Sequence, residues 1–548
     1  MPWRIFIVYH FTIMQSAHSL HIGKGYLIIM LHAHLPYIRY PEYEHFLEEN
    51  WLYETMTETY IPLINIFENL VDDNVDFRLS LSLSPPLVEM LNDDLLMNRY
   101  QQYLCKLIEL SEKEIYRNRK DVRHRDLAKM YSKRFLRIRH LFENVYRRDL
   151  VSAFRGLMES GRIELAVSSA THAYLPALMT EPAAVNAQIQ LAAAHFKKYF
   201  GKKPAGIWLP ECGYNPKMDI LLKDAGLKYF FLESHGALGS SPGSRKNIYK
   251  PVKTPSGNTV FARDSIASRQ VWSAQKGYPG DPDYRDFYRD IGFDLDYDYI
   301  KPYLPDGIRT FTGIKYFRIT NRKSDRKKSY NRAKALQKAK IHAENFIESR
   351  QRQILSLNKR LKINPVITAA FDAELFGHWW FEGPEWLDHL LRKGSGKGKL
   401  FRFITPSEFI VKNPATEILN PSLSSWGLKG YSATWIDPSN SWVYKHMHRA
   451  AKCMREISGK NIKARGLVKK ALNQAARELL LAQASDWAFM MQKDKASEFA
   501  TRKFTEHIVN FFALYQEITS GSINRERLTF LEHKDNIFSD IDFRIYAG

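Results

Sequence analysis

Cysteine is scarce. The 548 residues hold three, Cys105, Cys212 and Cys453. An odd, widely spaced set builds no disulfide framework and offers no zinc-ligand spacing. It fits a reducing compartment, so a cytoplasmic location is expected. Long apolar runs are also missing. No stretch reaches the ~18 residues that a membrane-spanning helix requires, so no membrane partner is expected. No 20–50-residue repeat is visible, which excludes solenoids and propellers. Zinc-finger spacing, RNP-type strands and recognition-helix patterns are absent as well. That matters because the net charge is +21. Such a charge favours anionic partners. Without a binding motif it reads as a basic surface, and no nucleic acid partner is expected. The apolar run from Ile5 to Met14 is short and broken by His10 and Thr12. It resembles a weak signal peptide but reads as an N-terminal extension, 1–23, expected to be disordered.

What is present is aromatic. Aromatics make up 13% of the chain, with 11 Trp and 29 Tyr. The densest stretch runs from Val366 to Trp386. An apolar strand pattern ends at Asp372, then Glu374, His378, Trp379, Trp380, Glu382 and Trp386 follow. A strand that stops at a carboxylate resembles the C-terminal rim of an α/β barrel, where active sites sit. Indole faces beside carboxylates suit a sugar ring, whose C–H face stacks and whose hydroxyls need polar partners. The plainer alternative is a buried Asp that caps a helix among core Trp residues.

Four other strand patterns end in the same way. Tyr26–Leu31 leads to His32 and His34, which share a face at i and i+2. Gly161–Val167 leads to His172. Gly206–Leu209, containing Trp208, leads to Glu211. Thr259–Arg263 ends at Arg263-Asp264. Parallel strands feeding one rim explain this economically. Glu211 and Asp372 then form the best chemical pair, two carboxylates suited to glycosidic bond cleavage. A metal site from His32, His34, His172, Asp372 and His378 is the rival, weakened by the lack of H-E-x-x-H. Cys212 reads as a wall residue rather than a reactive thiol. The segment 235–247, rich in Gly, Ser and basic residues, reads as a flexible loop.

Taken together, His32–Pro36, Gly161–Pro176, Trp208–Tyr214, Phe371–Pro384 and Leu479–Phe489 resemble the five conserved regions of glycoside hydrolase family 57. Within it, Gln270–Gly292 is similar to the 1,4-α-glucan branching enzymes. The resemblance implies an α/β fold: an incomplete (β/α)7 barrel with a small insertion and a C-terminal α-helical domain. The expected divisions are barrel 24–214, insertion 215–275, barrel 276–415, helical domain 416–530 and tail 531–548. It implies Glu211 as nucleophile and Asp372 as general acid/base. Substrate contacts are implied for Arg263, Gly280, Trp426 and Asp486. Trp272 and Trp435 are implied glucan-stacking positions, and their Ser, Gly and Asn neighbours favour exposure of Trp426 and Trp435. His32, His34 and His172 are expected to line the inner subsite, with Trp208 and His378 nearby. No metal or other cofactor is implied. The partner is an α-1,4-glucan such as amylose or glycogen, and the protein is expected to be a monomer or small homo-oligomer. Disproportionation by a 4-α-glucanotransferase, α-amylase-type hydrolysis and weakly active glucan binding are the alternatives. Four departures from the branching pattern bear on that choice. Gly239 stands where a loop Tyr is usual, with Tyr249 downstream. Leu428-Lys429 replaces an acid-Gly pair, Lys495 replaces a substrate-contacting Gln, and Ala488 replaces a Pro.

Overall fold

The computed structural model describes residues 24–241, 243, 245–273, 277–320, 327–494 and 496–547. The expected extension 1–23 lies outside the described residues. Nine strands join one sheet among them: β1 (Gly25–Ala33), β2 (Leu79–Leu83), β3 (Ile163–Val167), β4 (Gly206–Ile207), β5 (Tyr229–Leu232), β6 (Val252–Lys253), β7 (Thr259–Ala262), β8 (Val366–Asp372) and β9 (Phe401–Phe403). Their order is β6-β7-β5-β4-β3-β2-β1-β8, and β9 also pairs with β1. All pairings are parallel except β6 with β7.

The sheet curls until its ends meet. Arg263, just past β7, bridges Thr368 of β8, and the Asp264 N–H donates to the Thr368 carbonyl at 2.8 Å. The seven strands β7, β5, β4, β3, β2, β1 and β8 thus form a ring closed by one bridge. The ring is thin again at β4, two residues long and joined to β3 through Val167 and Ile207 alone.

Strands buried on both faces read as apolar runs, with neighbouring residues in different cores. In β1, Leu27, Ile29 and Leu31 pack outward against the helices, while Ile28 and Met30 fill the ring. In β8, Ile367, Ala369 and Phe371 pack outward, and Val366 and Ala370 inward. Period-two alternation sends the next inward residues, His32 and Asp372, into the mouth of the ring. Register pairs these two directly.

Residues 215–275, expected as an insertion, carry β5 and β7, two strands of the ring itself. After the barrel come the helices Trp442–Lys460, Gly466–Ala482, Ser485–Lys493, Ser497–Ser520 and Arg525–Lys534. Leu472, Ala476, Leu479 and Leu480 are fully buried, as their helical spacing predicts. The expected tail 531–548 packs back onto the protein, with Phe543 and Tyr546 fully buried. No helix among the described residues is long and apolar enough to cross a membrane.

Candidate active site

A cavity of about 510 Å³ opens at the C-terminal ends of the strands. His32, His34, His172, Glu211, Arg263, Asp372, His378 and Asp486 all line it, so every strand end singled out by sequence converges there.

Glu211 occupies an unusual backbone position. Its φ is +62°, that of Cys212 is +50°, and that of His172 is +56°. Left-handed conformations cost non-glycine residues roughly 1–2 kcal/mol each, so surrounding contacts must hold them. Two segments beyond the barrel do so. The Trp426 N–H donates to the Glu211 carbonyl at 2.8 Å, and the Ser485 N–H donates to the His172 carbonyl at 3.0 Å. The same residues grip the carboxylate. Trp426 Nε1–H donates to Oε2 at 2.6 Å, and the Ser485 hydroxyl donates to Oε1 at 2.8 Å. Burial pushes Glu211 up to about 7, and these two donors pull the other way.

The histidines form a chain behind it. Ser82 Oγ meets His32 Nδ1 at 3.2 Å, His32 Nε2 meets His172 Nε2 at 2.9 Å, and His172 Nδ1 meets Ser485 Oγ at 2.9 Å. Burial and the neighbouring imidazole of His34 push His32 and His172 well below the usual histidine range, so both are neutral. His34 stacks on His172 with centroids 3.7 Å apart. Burial opposes its charging, but Asp486, 3.0 Å from Nε2, raises its pKa on balance. His34, His172 and Asp486 are close enough to share an ion, yet all four of their ring nitrogens already have hydrogen-bond partners. Asp372 and His378 stand outside that group.

Asp372 is held differently. Among the described residues no hydrogen bond reaches its carboxyl. Burial pushes it up to about 6, against the pull of Arg263 and His34. The Arg263 guanidinium is fixed by Glu233 at 2.6 Å and by the Ala370 carbonyl at 3.1 Å, and it lies over the Trp426 ring. Glu374 also lines the cavity. Burial pushes it up to about 7, and it accepts from the Tyr60 hydroxyl and the His34 N–H.

Residues 28–423 match glycosyl hydrolase family 57, and residues 446–546 match the C-terminal region of 1,4-alpha-glucan branching enzymes. The chain belongs to glycosyl hydrolase family 57. Within this family it is 31% identical to the 1,4-alpha-glucan branching enzyme of Thermococcus kodakarensis, over 94% of this chain and 78% of that one. Among solved structures, the alpha-amylase AmyC of Thermotoga maritima superposes with a TM-score of 0.90 at 41% identity, covering 96% of this chain and 99% of that one. The family 57 branching enzyme of Pyrococcus horikoshii gives 0.86 at 31%, covering 96% and 97%. The architecture is thus the family's incomplete (β/α)7 barrel with a helical C-terminal domain.

Several family-based expectations need correction. Trp435 lines the cavity but is 1% exposed, stacked on Tyr174 at 5.0 Å, so it is not the exposed indole that its polar neighbours suggested. Trp208 is fully buried beneath the cavity, stacked on His32, and so is out of a substrate's reach. Gly280 ends a short turn, Tyr278–Gly280, and does not line the cavity. Trp272 and Trp379 line the cavity with exposed indoles, 42% and 44% exposed and edge-to-face at 5.5 Å. Lys495 lies outside the described residues, two positions beyond Lys493 at the cavity.

Residues 234–238, overlapping the start of the loop expected at 235–247, form a short helix whose first N–H is capped by Glu233. At Gly239 an added Cβ would lie 2.5 Å from Ser422 Oγ and 3.2 Å from the His235 carbonyl, so Ser422 occupies the space that a side chain would need. Tyr249 is buried near Asp264 and Gln353 and is absent from the cavity lining.

Sequence reasoning missed Ser485, Trp379 and Glu374 as site residues. Trp379 and Glu374 lie within the stretch that ends β8, so their density there was the available signal. A further signal lies in Met56–Tyr60, a π-helical turn inside a longer helix. Such bulges often mark functional sites. This one aims Glu58 at His378, 2.9 Å away, and Tyr60 at Glu374. Burial opposes ionisation of Glu58, but Arg285 and His378 hold it down at about 2.

Proposed function

We propose that this chain is a retaining 1,4-α-glucan branching enzyme acting on amylose- or glycogen-type chains in the cytoplasm, as a monomer or small homo-oligomer. The observation that carries this reading lies in the region matched to branching-enzyme C-termini, 446–546. That region supplies Ser485 and Asp486 to the carboxylate cavity. In this mechanism Glu211 attacks the anomeric carbon while Asp372 protonates the departing glycosidic oxygen. The result is a covalent glycosyl-enzyme and a shortened chain. Asp372 then removes the proton from the 6-hydroxyl of an acceptor glucose, whose oxygen displaces Glu211 and forms an α-1,6 bond. Two inversions give net retention. Both donors on Glu211 favour its ionised form. Asp372, raised by burial and without a donor, is suited to carrying a proton.

Hydrolysis is the second reading. Two observations favour it: the 41% identity to the Thermotoga maritima alpha-amylase, and the Gly at position 239. Water in place of the acceptor hydroxyl completes the same cycle. Incubation with amylose separates the two. Branching gives new α-1,6 anomeric proton signals with little gain in reducing ends. Reducing sugar without those signals rejects the transferase reading in favour of hydrolysis.

A further inference from the structure

The cavity does not end at its rim. Trp379 borders His378, and the His378 ring meets Phe287 edge-on at 5.5 Å. From Phe287 the ring contacts divide. One goes to Tyr288 at 5.2 Å, and another through Phe311 at 5.3 Å to Phe293 at 5.4 Å. Tyr288 is 63% exposed and Phe293 47%. Neither lines the catalytic cavity. Both rings belong to one short segment, 288–293.

This segment is built rigidly to present them. Asp290, fully buried between the two rings in sequence, accepts from the Gly292, Thr312 and Gly313 N–H groups at 2.9–3.0 Å. It also accepts from the Thr312 hydroxyl at 2.7 Å and lies 3.1 Å from Lys315 Nζ. At Gly292 a Cβ would strike the Thr310 carbonyl at 2.0 Å, so the two arms of the loop touch backbone to backbone. Arg289 and Asp294, paired at 2.9 Å, flank the exposed rings with polar groups.

We propose that Tyr288 and Phe293 form an accessory binding site for an α-1,4-glucan chain, continuous with the catalytic cavity through His378 and Phe287. This rests on the glucan reading above. Ring faces take the apolar side of successive sugars, Arg289 and Asp294 take hydroxyls, and the Asp290 anchor keeps the ordering cost low. The site holds a chain that extends beyond the cavity, so it matters for long substrates and little for short ones.

The test uses the full-length protein with Tyr288→Ala and Phe293→Ala combined. Binding is read in a Glu211→Gln background by retardation in native gels containing amylopectin, so it does not depend on turnover. The expected result is at least a fivefold weaker retardation, restored by Tyr288→Phe with Phe293 intact. In the active protein, kcat/KM on amylose relative to maltoheptaose falls about tenfold, which corresponds to one good contact. Unchanged retardation, or equal losses on both substrates, overturns the site even if branching is confirmed. A parent protein that neither binds nor turns over any α-glucan overturns the underlying reading, and this site with it.

Discussion

Glu211 and Asp372 line one cavity but are supported from different regions of the chain. Asp372 belongs to the barrel. It ends β8 beside His32, and the charges that act on it, Arg263 and His34, come from neighbouring strand ends. Glu211 is reached from outside the barrel. Ser485 lies 274 residues further along and Trp426 lies 215. Together they occupy both carboxylate oxygens, and Trp426 also pins its left-handed backbone. A carboxylate with both oxygens gripped by donors is oriented for attack at one place. A carboxyl free of donors can rotate and exchange a proton with successive partners. The division of labour proposed for the two, nucleophile and acid/base, matches where the donors originate.

The largest expected effects come from removing either carboxylate. Glu211→Gln and Asp372→Asn each lower kcat on amylose by about 10⁴-fold or more, the scale seen when a principal catalytic group is removed. The comparison is sharpened with a glucosyl donor that carries a fluoride leaving group. Such a donor needs no protonation, so Asp372→Asn still releases fluoride in a first turnover, whereas Glu211→Gln does not. Equal failure of both variants would break the distinction between them.

Next in size is the clamp. Ser485→Ala removes a preorganised donor and is expected to cost roughly 10²-fold in kcat. It also shifts the pH profile. The wild type needs Glu211 ionised and Asp372 protonated. Burial raises Glu211 to about 7 but Asp372 only to about 6, so the productive pair is a minor, reverse-protonated form whose share peaks between the two. Loss of the Ser485 hydroxyl raises Glu211 further. The productive form becomes scarcer, the alkaline limb moves to higher pH, and activity at pH 6 suffers more than at pH 8. On the barrel side, Arg263→Gln removes the cation that lowers Asp372. Asp372 then holds its proton to higher pH and the acidic limb moves up. If both variants move the same limb, the two supports are not separate.

The smallest effect is on stability. A carboxylate raised in the folded state disfavours folding above its folded pKa and has no such effect below its unfolded one. Glu211→Gln is therefore expected to raise Tm by one or two degrees at pH 8, with no gain at pH 4. The gain is partial because the Gln amide nitrogen cannot accept the hydrogen bond that its oxygen gave up.

This contrast also marks what was legible in the sequence. The barrel side was readable. Each strand alternates between two apolar cores, so an apolar run that stops at His32, Arg263 or Asp372 reveals which face the polar group takes. The helical region after residue 442 was readable from its spacing. The closing bridge between Arg263 and Thr368 was not, because periodicity gives a face but not a partner. Ser485 appeared within a conserved region without a role, since its contacts are with residues hundreds of positions away. Trp435 misled for a related reason. Polar neighbours in sequence favoured exposure, while Tyr174, far off in the chain, covers it. Gly239 shows the same limit, because its side-chain space is taken by Ser422.

The assignment of the two carboxylates is tested most directly by trapping the intermediate. The Asp372→Asn protein is incubated with a 5-fluoroglucosyl fluoride and digested, and its peptides are weighed. One added glycosyl mass on the peptide containing Glu211 is the predicted result. An adduct on any other residue, or none while fluoride is released, would contradict it.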